Sequence, residues 1–504
     1  MIIDDQHYDI IIVGTGAGGG TLAQKLAPTG KRILILERGD RMALEDQNRA
    51  DVDVFKKERY HAPEQWYDQE GEPFSPQTNY AVGGNTKVYS ATLMRMRDRD
   101  FTALPHQEGI APEWPFQYAD LEPYYTAAEQ LYQVHGSAQG DPTEPSHSGD
   151  YPFPAIDHEP LMQPLVEGLS QQGLHPTPLP LSLTRQDDDP TGDAEVFGID
   201  LALKHDNVTL QTSAQVVCLH TDPSGKTIKG VQAEVGNQSI IFSGDIVVLA
   251  CGAVNSAMLL LDSASDRHPK GLANSSDLVG RNLMKQKLTV IVEKAAVTNS
   301  GDFPRTVSVN DFYWGNRDYE YPMGHIENSG GLLRDVIFAE SPPLLSVLAQ
   351  IMPGARLKGL AINSIGWWAQ TGMLPDPNNR IKRLKGKLRF EFEPNNFEAH
   401  DRLVYQWIEV LKKLETTTDT VKSNSIFPRG EAPLSVVGYQ LGTCRMGTDP
   451  ATSVLDLHCR THEIDNLYVV DGSFFPSCPA AGPALTIMAN ALRVGDHLCD
   501  RLKA

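Results

Sequence analysis

Three glycines near the start of the chain have the spacing of a dinucleotide-binding turn. Gly14, Gly16 and Gly19 form a G-x-G-x-x-G pattern directly after the apolar run 8–13 and before a helical stretch that starts near residue 21. The first glycine permits a tight turn, the second lets the backbone approach a pyrophosphate, and the third permits close packing of helix on strand. The helix also directs its positive amino-terminal end at the anion. The pattern therefore predicts a nucleotide-phosphate site, with Thr15 and Ala17 as further contacts.

An acid follows the next apolar run, 32–36. Glu37 lies about twenty residues beyond the glycines, where a carboxylate accepts hydrogen bonds from the ribose hydroxyls. An ordinary surface glutamate is the alternative interpretation, but the strand, turn, helix and second strand favour the ribose role. The acid also argues against a 2′-phosphate, so NADP is not expected.

A second glycine turn favours FAD over NAD. Gly83 and Gly84, followed by Asn85 and Thr86, suit a backbone that runs along a flat ring. Asp471 follows a late apolar run, in the place where flavoproteins of this fold hold the ribityl chain. A plain turn is the alternative for the two glycines alone.

These residues need a parallel sheet to position them. The continuous apolar runs 8–13, 32–36, 245–250 and 466–470 are typical of strands buried on both faces. Residues 208–219 give a further sheet signal, and helices are predicted at 121–132, 401–414 and 484–502. The predicted fold class is α/β, α+β overall, with a discontinuous Rossmann-type FAD-binding domain and a substrate domain containing a mixed or antiparallel sheet.

The predicted domains follow from where these signals stop and return. Residues 1–286 form the FAD-binding domain, residues 287–424 the substrate-binding domain, and residues 425–504 return to the FAD-binding domain. Within the first part, 41–77 is interpreted either as a lid over the cofactor or as a plain surface insertion, and about 90–200 as excursions into the substrate domain.

Composition excludes several partner classes. The 504 residues carry a formal net charge of −20, which argues against nucleic acid or an anionic membrane as a partner. The start of the chain has no secretory signal pattern, and the apolar stretch 342–368 is interrupted by Pro, Gly and charged residues. The six cysteines are scattered and without metal-binding spacing, so we expect free thiols, no metal site and a cytoplasmic protein.

In order along the chain, many short segments resemble the glucose–methanol–choline (GMC) family of FAD oxidoreductases. They are 14–19 with Glu37, 83–86, 114–115, 120–125, 247–253, 278–283, 442–447, 466–471 and 483–486. Within the family the chain looks most like the bacterial branch of pyranose oxidases and glycoside 3-oxidases. The resemblance implies a substrate-domain sheet over the flavin, and FAD contacts from Val216, Ala253, Pro483, Ala484, Leu485 and Thr486.

The resemblance also implies a reaction in two halves. A base takes the proton of a substrate hydroxyl while its carbon gives hydride to flavin N5, and oxygen or another acceptor then reoxidises the flavin. Some pyranose oxidases attach FAD through a histidine shortly after the glycine pair. Residues 85–89 contain no histidine here, so non-covalent FAD is predicted.

The chain departs from the family at both members of its catalytic pair. Tyr439 stands where the family has its catalytic histidine, and Gly482 stands where its partner Asn or His is expected. A histidine near pKa 6.5 is well suited to take an alcohol proton at neutral pH, while a tyrosine near 10 is not.

Three explanations of this departure stay open. In the first, Tyr439 is a tyrosinate stabilised by a cation such as Arg445. In the second, another residue is the base; His458 and His462 are near in sequence, although a surface role is favoured for both. In the third, the scaffold has other flavin chemistry, or none. Cys478 is expected to be a small buried residue rather than a reactive thiol.

The leading hypothesis is an FAD-dependent oxidoreductase acting on a hydroxyl of a sugar, glycoside or related polyol. Tyr439 is predicted to face the substrate, assisted by Gln440, with Gly482 enlarging the pocket. Sugar stacking by Trp314, Trp367 or Trp368 is an alternative to their default place in the core. A flavin-dependent lyase, isomerase or decarboxylase is the second hypothesis, and a silent FAD-binding protein is the third; the oligomeric state is left open.

Overall fold

Buried strands from the amino terminus, the middle and the carboxyl terminus of the chain meet in one sheet. The computed structural model describes residues 2–42, 62–183, 192–297, 305–330, 363–423, 427, 429–435 and 439–503. Its strands are β1 Ile2–Val13, β2 Ile33–Leu36, β3 Trp66–Tyr67, β4 Pro73–Phe74, β5 Leu104–His106, β6 Gly109–Ala111, β7 Val134–Gly136, β8 Phe153–Pro154, β9 Pro176–Pro178, β10 Leu181–Ser182, β11 Val208–Gln211, β12 Ala214–Thr221, β13 Ile228–Val235, β14 Gln238–Leu249, β15 Met284–Lys294, β16 Val307–Val309, β17 His325–Gly330, β18 Ser364–Gly372, β19 Arg380–Leu384, β20 Lys387–Glu391, β21 Arg429–Glu431, β22 Gln440–Leu441 and β23 Leu467–Val469.

The α-helices flank these sheets. They are α1 Ala17–Leu26, α2 Tyr118–Leu131, α3 Gln163–Gln171, α4 Asp200–Ala202, α5 Ala253–Asp262, α6 Phe397–Leu414 and α7 Ala484–Arg501. Within the described ranges, no helix is both long and apolar enough to cross a membrane.

The first sheet has the order β11-β2-β1-β14-β13-β12, with β23 beside β14. Strands β11, β2, β1, β14 and β23 run parallel, and their register places Val13 beside both Leu36 and Leu249. Parallel strands that end together bring the loops after their carboxyl ends to one edge. The glycine turn, Glu37 and Asp471 therefore lie along a single crevice.

The second sheet is antiparallel, with the order β21-β15-β18-β17-β16-β9 and β22 paired to β15. One face packs on α6 and α3 through apolar side chains such as Ile326, Trp367 and Leu403. Side chains alternate between the faces of a strand, so the neighbours of these residues point the other way. Strand β22 brings Gln440 beside Lys285 and so attaches the carboxyl-terminal segment to this sheet.

Several predicted elements are present with different bounds. Helix α2 begins at Tyr118 because Gln117 and Asp120 form a reciprocal capping box before the apolar stripe starts. Helix α6 begins at Phe397, directly after Asn396, which has a left-handed φ of 59°. The sheet signal at 208–219 is two strands, since Ser213 has a φ of 50° and interrupts the run.

Part of the proposed lid, residues 41–77, belongs to a separate small sheet. Residues 43–61 lie outside the described residues, as do 342–362 of the interrupted apolar stretch. Beyond them, β3 and β4 join β20 and β19 in a four-stranded sheet. Strand β15 runs across the proposed domain boundary at 286, and the division itself stays a prediction.

Candidate active site and cofactor cavity

A cavity of about 650 Å³ lies at the carboxyl edge of the parallel sheet. Its lining contains fifteen of the residues predicted as cofactor-binding or catalytic: Gly14, Thr15, Gly16, Ala17, Glu37, Gly84, Asn85, Thr86, Val216, Ala253, Tyr439, Gln440, Asp471, Pro483 and Ala484. Gly19, Gly83, Leu485 and Thr486 are not part of this lining.

The glycines of the first turn serve different purposes. A Cβ on Gly14, whose φ is +98°, would lie 2.4 Å from the carbonyl oxygen of Ala250, and a Cβ on Gly19 would lie 2.0 Å from that of Gly14. Both glycines are thus required by packing. A Cβ on Gly16 would have no protein atom closer than 4.0 Å and would project into the cavity. The absence of a side chain at Gly16 therefore makes room for a ligand.

Three helices begin at the cavity wall. The first residues of α1, α5 and α7 are Ala17, Ala253 and Ala484, and each of them lines the cavity. None of these helices has a side-chain cap or an acid in its first turn. Uncapped helix N-termini offer backbone N–H groups and positive potential to an anionic or electron-rich ligand.

Glu37 is buried and fixed beside the turn. Its carboxylate accepts hydrogen bonds from the Thr15 amide at 3.1 Å, the Thr15 hydroxyl at 2.6 Å and the Gly39 amide at 2.9 Å. Burial raises the pKa of this carboxyl, while these hydrogen bonds lower it. The acid is thus held rigidly in the lining, and its contact with ribose stays a prediction.

Asp471 occupies the corresponding place after β23, at the same edge of the sheet. It accepts hydrogen bonds from the Gly252 amide at 3.1 Å, the Ser473 amide at 3.0 Å and the Ser256 hydroxyl. Burial raises the pKa of the Asp471 carboxyl, although these donors oppose the effect. The two predicted acids therefore lie on the same cavity.

The second glycine turn packs directly on the first. A Cβ on Gly84 would lie 3.2 Å from the Cα of Gly16, so the two turns approach through backbone alone. The Thr86 hydroxyl donates to the Gly83 carbonyl at 2.6 Å, and the Asn85 side chain accepts from the Asn79 amide at 2.9 Å. These bonds fix the turn against the cavity.

Tyr439 is the predicted catalytic residue, and it lines the cavity next to Gln440. Burial and, to a smaller extent, the carboxylate of Glu327 raise the pKa of its phenol to about 12, against the lowering effect of the Arg305 guanidinium. At neutral pH the phenol is therefore protonated and can donate a hydrogen bond. The cation that acts on this pKa is Arg305, whereas Arg445, the example that the sequence offered, donates to the Thr452 carbonyl.

Two family profiles match this chain. Both are described as GMC oxidoreductase, one over residues 8–288 and one over residues 396–491. The chain belongs to the GMC oxidoreductase family.

Curated relatives of this GMC oxidoreductase match over nearly its whole length. A 6'''-hydroxyparomomycin C oxidase from Streptomyces lividus is 29% identical and covers 99% of this chain and 93% of its own. A paromamine 6'-oxidase from Streptomyces fradiae is 26% identical, with 97% and 91% covered. The fructose dehydrogenase large subunit from Gluconobacter japonicus is 25% identical, with 98% of both covered.

Solved structures support the fold. Pyridoxine 4-oxidase from Mesorbium loti has a TM-score of 0.72 at 18% identity and covers 97% of this chain and 99% of its own. A formate oxidase from Aspergillus oryzae RIB40 has a TM-score of 0.73 at 16% identity, with 99% of both covered. The predicted α/β fold with a Rossmann-type FAD-binding region is confirmed.

FAD is the cofactor of this GMC oxidoreductase, and the enzyme acts on CH–OH groups. The cavity fits FAD because the position of Gly16 leaves ligand space and three uncapped helices begin there. Glu37, Asp471 and residues 84–86 line this cavity, and their contacts with FAD stay a prediction.

Other sequence candidates lie away from this cavity. The ring of exposed His458 stacks on His497 at 4.0 Å between centroids, and His462 bonds the Ser453 hydroxyl. Cys478 lines a separate cavity of about 30 Å³, and burial raises the pKa of its thiol to about 12. None of these side chains is placed to replace the absent base.

The three candidate tryptophans have different surroundings. Trp367 is fully buried against Trp407 and donates to Glu293, so it belongs to the core. Trp314 packs under the guanidinium of Arg99 and does not line the main cavity. Of the three, only Trp368 points to the face of the second sheet opposite the one that packs on α6 and α3, which is called the polar face below.

Sequence reasoning missed the charged group beside Tyr439. Glu327 and His325 lie on β17, and Arg305 pairs with Glu327 just before β16. A histidine and a glutamate two residues apart in a strand share one face, which was the available signal. That this face meets Tyr439 depends on contacts between distant segments.

Proposed function

We propose that this GMC oxidoreductase oxidises a hydroxyl-bearing carbon of a sugar, glycoside or related polyol. When bound, the flavin supplies the acceptor for hydride from that carbon, and oxygen or another acceptor restores it. The names of the relatives support a carbohydrate substrate, since two are oxidases of 6'''-hydroxyparomomycin C and paromamine and one is a dehydrogenase of fructose.

The observation that carries the proposal is the position of the Tyr439 phenol in the lining of the cofactor cavity. With a pKa of about 12, about one Tyr439 in 10⁵ is ionised at pH 7. Tyr439 is therefore a hydrogen-bond donor that binds the substrate oxygen and stabilises the negative charge that develops there. Gln440, next to it in the lining, assists in orienting the substrate.

The proposal includes non-covalent FAD. Residues 85–89 hold no histidine. The Lys87 amine forms ion pairs with Asp193 at 2.7 Å and Glu195 at 2.8 Å, and the Tyr89 hydroxyl donates to the Gly192 carbonyl. These side chains are already engaged. Denaturation in acid should release all the yellow cofactor into the supernatant, and colour that stays with the precipitate would contradict this part.

Anaerobic mixing with a panel of sugars, glycosides, amino sugars and simple alcohols tests the proposal. We expect bleaching of the flavin by at least one sugar or polyol, reversed by air or by an electron-accepting dye. Turnover without consumption of an acceptor would indicate lyase, isomerase or decarboxylase chemistry instead. A bound cofactor that no compound reduces or turns over would indicate a silent FAD-binding protein.

A further inference from the structure

The second sheet has a polar face, which is opposite the face that packs into its hydrophobic core. Strand register places Glu327 opposite Trp368 on one side and opposite Ser308 on the other. Cross-strand partners share a face, while Ile326 and Trp367 point into the core beneath α6. The opposite face therefore carries Glu327 and Trp368 side by side.

Glu327 is a buried, ionised carboxylate on this face. It is 3% exposed and pairs with the guanidinium of Arg305, which also lies 4.1 Å from the centroid of the Trp368 ring. Burial raises the pKa of Glu327, but the guanidinium of Arg305 lowers it and the net pKa is lowered. The carboxylate is thus an acceptor at neutral pH.

His325 lies next to this carboxylate with its tautomer fixed. Its Nδ1 is 3.1 Å from the Asn310 side-chain oxygen, which can only accept, so Nδ1 carries the proton. Its Nε2 accepts from the Gln370 amide at 3.2 Å and lies 3.6 Å from a Glu327 oxygen. The unprotonated nitrogen of this buried ring therefore faces the carboxylate.

Tyr439 comes directly before β22, whose register places Leu441, two residues further on, opposite Met284. Met284 shares a face of β15 with Val290, the partner of Trp368, so the segment that carries Tyr439 meets the polar face. The carboxylate of Glu327 and the guanidinium of Arg305 both act on the pKa of its phenol. Three buried polar atoms on or beside this face have no hydrogen-bond partner in the described part of the chain: Trp368 Nε1, Ser329 Oγ and Arg305 Nε. Buried polar groups are nearly always paired. A hydroxyl-rich ligand between the phenol and the sheet would supply such partners.

We propose that Glu327 and His325 together accept the proton of the substrate hydroxyl, an inference that rests on the proposed function. The O–H bond breaks, and its proton passes to the Glu327 carboxylate and from there to Nε2 of His325. The C–H bond breaks at the same carbon, its electron pair leaves as hydride to the bound flavin, and a C=O bond forms. Tyr439 donates to the reacting oxygen, and the resulting imidazolium is held beside the restored carboxylate.

This arrangement explains how the family's base can be absent from position 439. A histidine or carboxylate titrates several units below a phenol, so it takes a proton at neutral pH, which Tyr439 does not. The charged and titratable groups that face the pair are Arg305 beside β16 and Tyr439 beside β22. Gln370 on β18 and Asn310 after β16 face it as neutral donors or acceptors.

Substitution of the carboxylate in the holoenzyme tests the proposal. With a sugar that reduces the wild type, Glu327→Gln should slow anaerobic flavin reduction by about 10² to 10⁴ while flavin content is retained. Glu129→Gln is the matched control, because Glu129 on α2 is likewise a buried carboxylate paired with an arginine, Arg95. A Glu327→Gln rate within threefold of wild type, with the control also unchanged, would overturn the proposal.

His325→Gln gives a second, independent variant should Glu327→Gln fail to fold or to hold FAD. Its reduction rate should fall at least tenfold, whereas His400→Gln, at a buried histidine bonded to Thr289 and Thr371, should not change it. An unchanged rate in His325→Gln would contradict the shared role of the pair.

A readout that needs no turnover is nitrogen NMR of histidine-labelled holoenzyme, with His325→Gln identifying the signal. The wild-type spectrum should show the proton on Nδ1 of His325, and Glu327→Gln should change the Nε2 signal, because that nitrogen lies 3.6 Å from a Glu327 oxygen. An Nε2 signal that is the same in both proteins means that the two groups do not interact and overturns the proposal. If no sugar or polyol reduces the wild type, the proposed function fails, and the same spectra still decide whether the pair exists.

Discussion

The cofactor cavity and the polar face of the second sheet are built from different parts of the polypeptide. The cavity wall is largely backbone: the turn at Gly14–Gly16, a second turn at Gly84 and three uncapped helix N-termini. The polar face consists of side chains, chiefly Glu327 and Trp368. A backbone site is destroyed by an added Cβ, whereas a side-chain site can be rearranged by substitution. This difference accounts for an intact glycine pattern beside an altered catalytic position.

The largest effects are expected in the backbone-built wall. Gly16→Val should abolish FAD binding while the fold is kept, because Gly16 has an ordinary φ of −66° and its Cβ would meet only ligand space. Gly149→Ala, in the loop before β8 and with an added Cβ that would make only an ordinary contact with Thr126 at 3.7 Å, is the control and should bind FAD normally. Flavin absorbance per protein and the unfolding midpoint measure both properties. A yellow Gly16→Val protein would show that this turn does not contact the cofactor.

A smaller effect is expected at the phenol that joins the two regions. Tyr439→Phe should keep FAD and slow flavin reduction by about 10², the usual loss when one donor to a developing oxyanion is removed. Tyr405→Phe, at an exposed tyrosine of α6, should leave the rate unchanged. Stopped-flow reduction measures both. No change in Tyr439→Phe would remove the phenol from the reaction.

Restoring the family's pair should change the rate still less. A Cβ on Gly482 would meet no atom within 4 Å, so a side chain can start there without a clash at its first atom. Tyr439→His combined with Gly482→Asn should hold FAD and reduce it within about tenfold of the wild-type rate, because a proton acceptor is already present. If the double variant gained a sugar oxidation that the wild type lacks, the proposed function of the native chain would be wrong.

The smallest effect concerns stability within the second sheet. Burial raises the pKa of Glu293 to about 8, and its carboxyl accepts from Trp367. The folded state thus binds a proton that the unfolded state releases above pH 4.5, so this residue makes the fold less stable as pH rises from about 4.5 to 8. Glu293→Gln should remove that dependence and stabilise the protein by about 1–3 kcal/mol at pH 8.

Urea unfolding at pH 5 and pH 8 checks this prediction. The advantage of Glu293→Gln over the wild type should grow between the two values. An advantage that is equal at both pH values would mean that Glu293 is ionised in the folded protein.

The cofactor side could be predicted because its signals are local. Gly14 to Gly19 and Glu37 belong to one strand–turn–helix–strand unit, and parallel register brings Asp471 to the same edge. On the catalytic side, the sequence predicted only that Tyr439 replaces the family's histidine. The groups around it come from β16, β17 and β18, and their pairing is set by the register of long-range strand contacts.

The two adjacent tryptophans illustrate this limit. Trp367 and Trp368 have the same residue type and neighbouring positions, yet alternation puts one into the core and the other onto the polar face. A shift of one residue in register would exchange them. The sequence indicates that the two side chains point to opposite faces of the strand, but not which of them points into the core.

The most direct test of the central claim is the rate of anaerobic flavin reduction in the wild type, measured from about pH 6 to about pH 11 with one sugar that reduces the flavin. If the phenol only donates and a histidine–carboxylate pair takes the proton, the rate constant should level off by about pH 8 and not rise further as the phenol begins to ionise. A rate that keeps rising about tenfold per pH unit towards pH 11 would make tyrosinate the base and contradict the account.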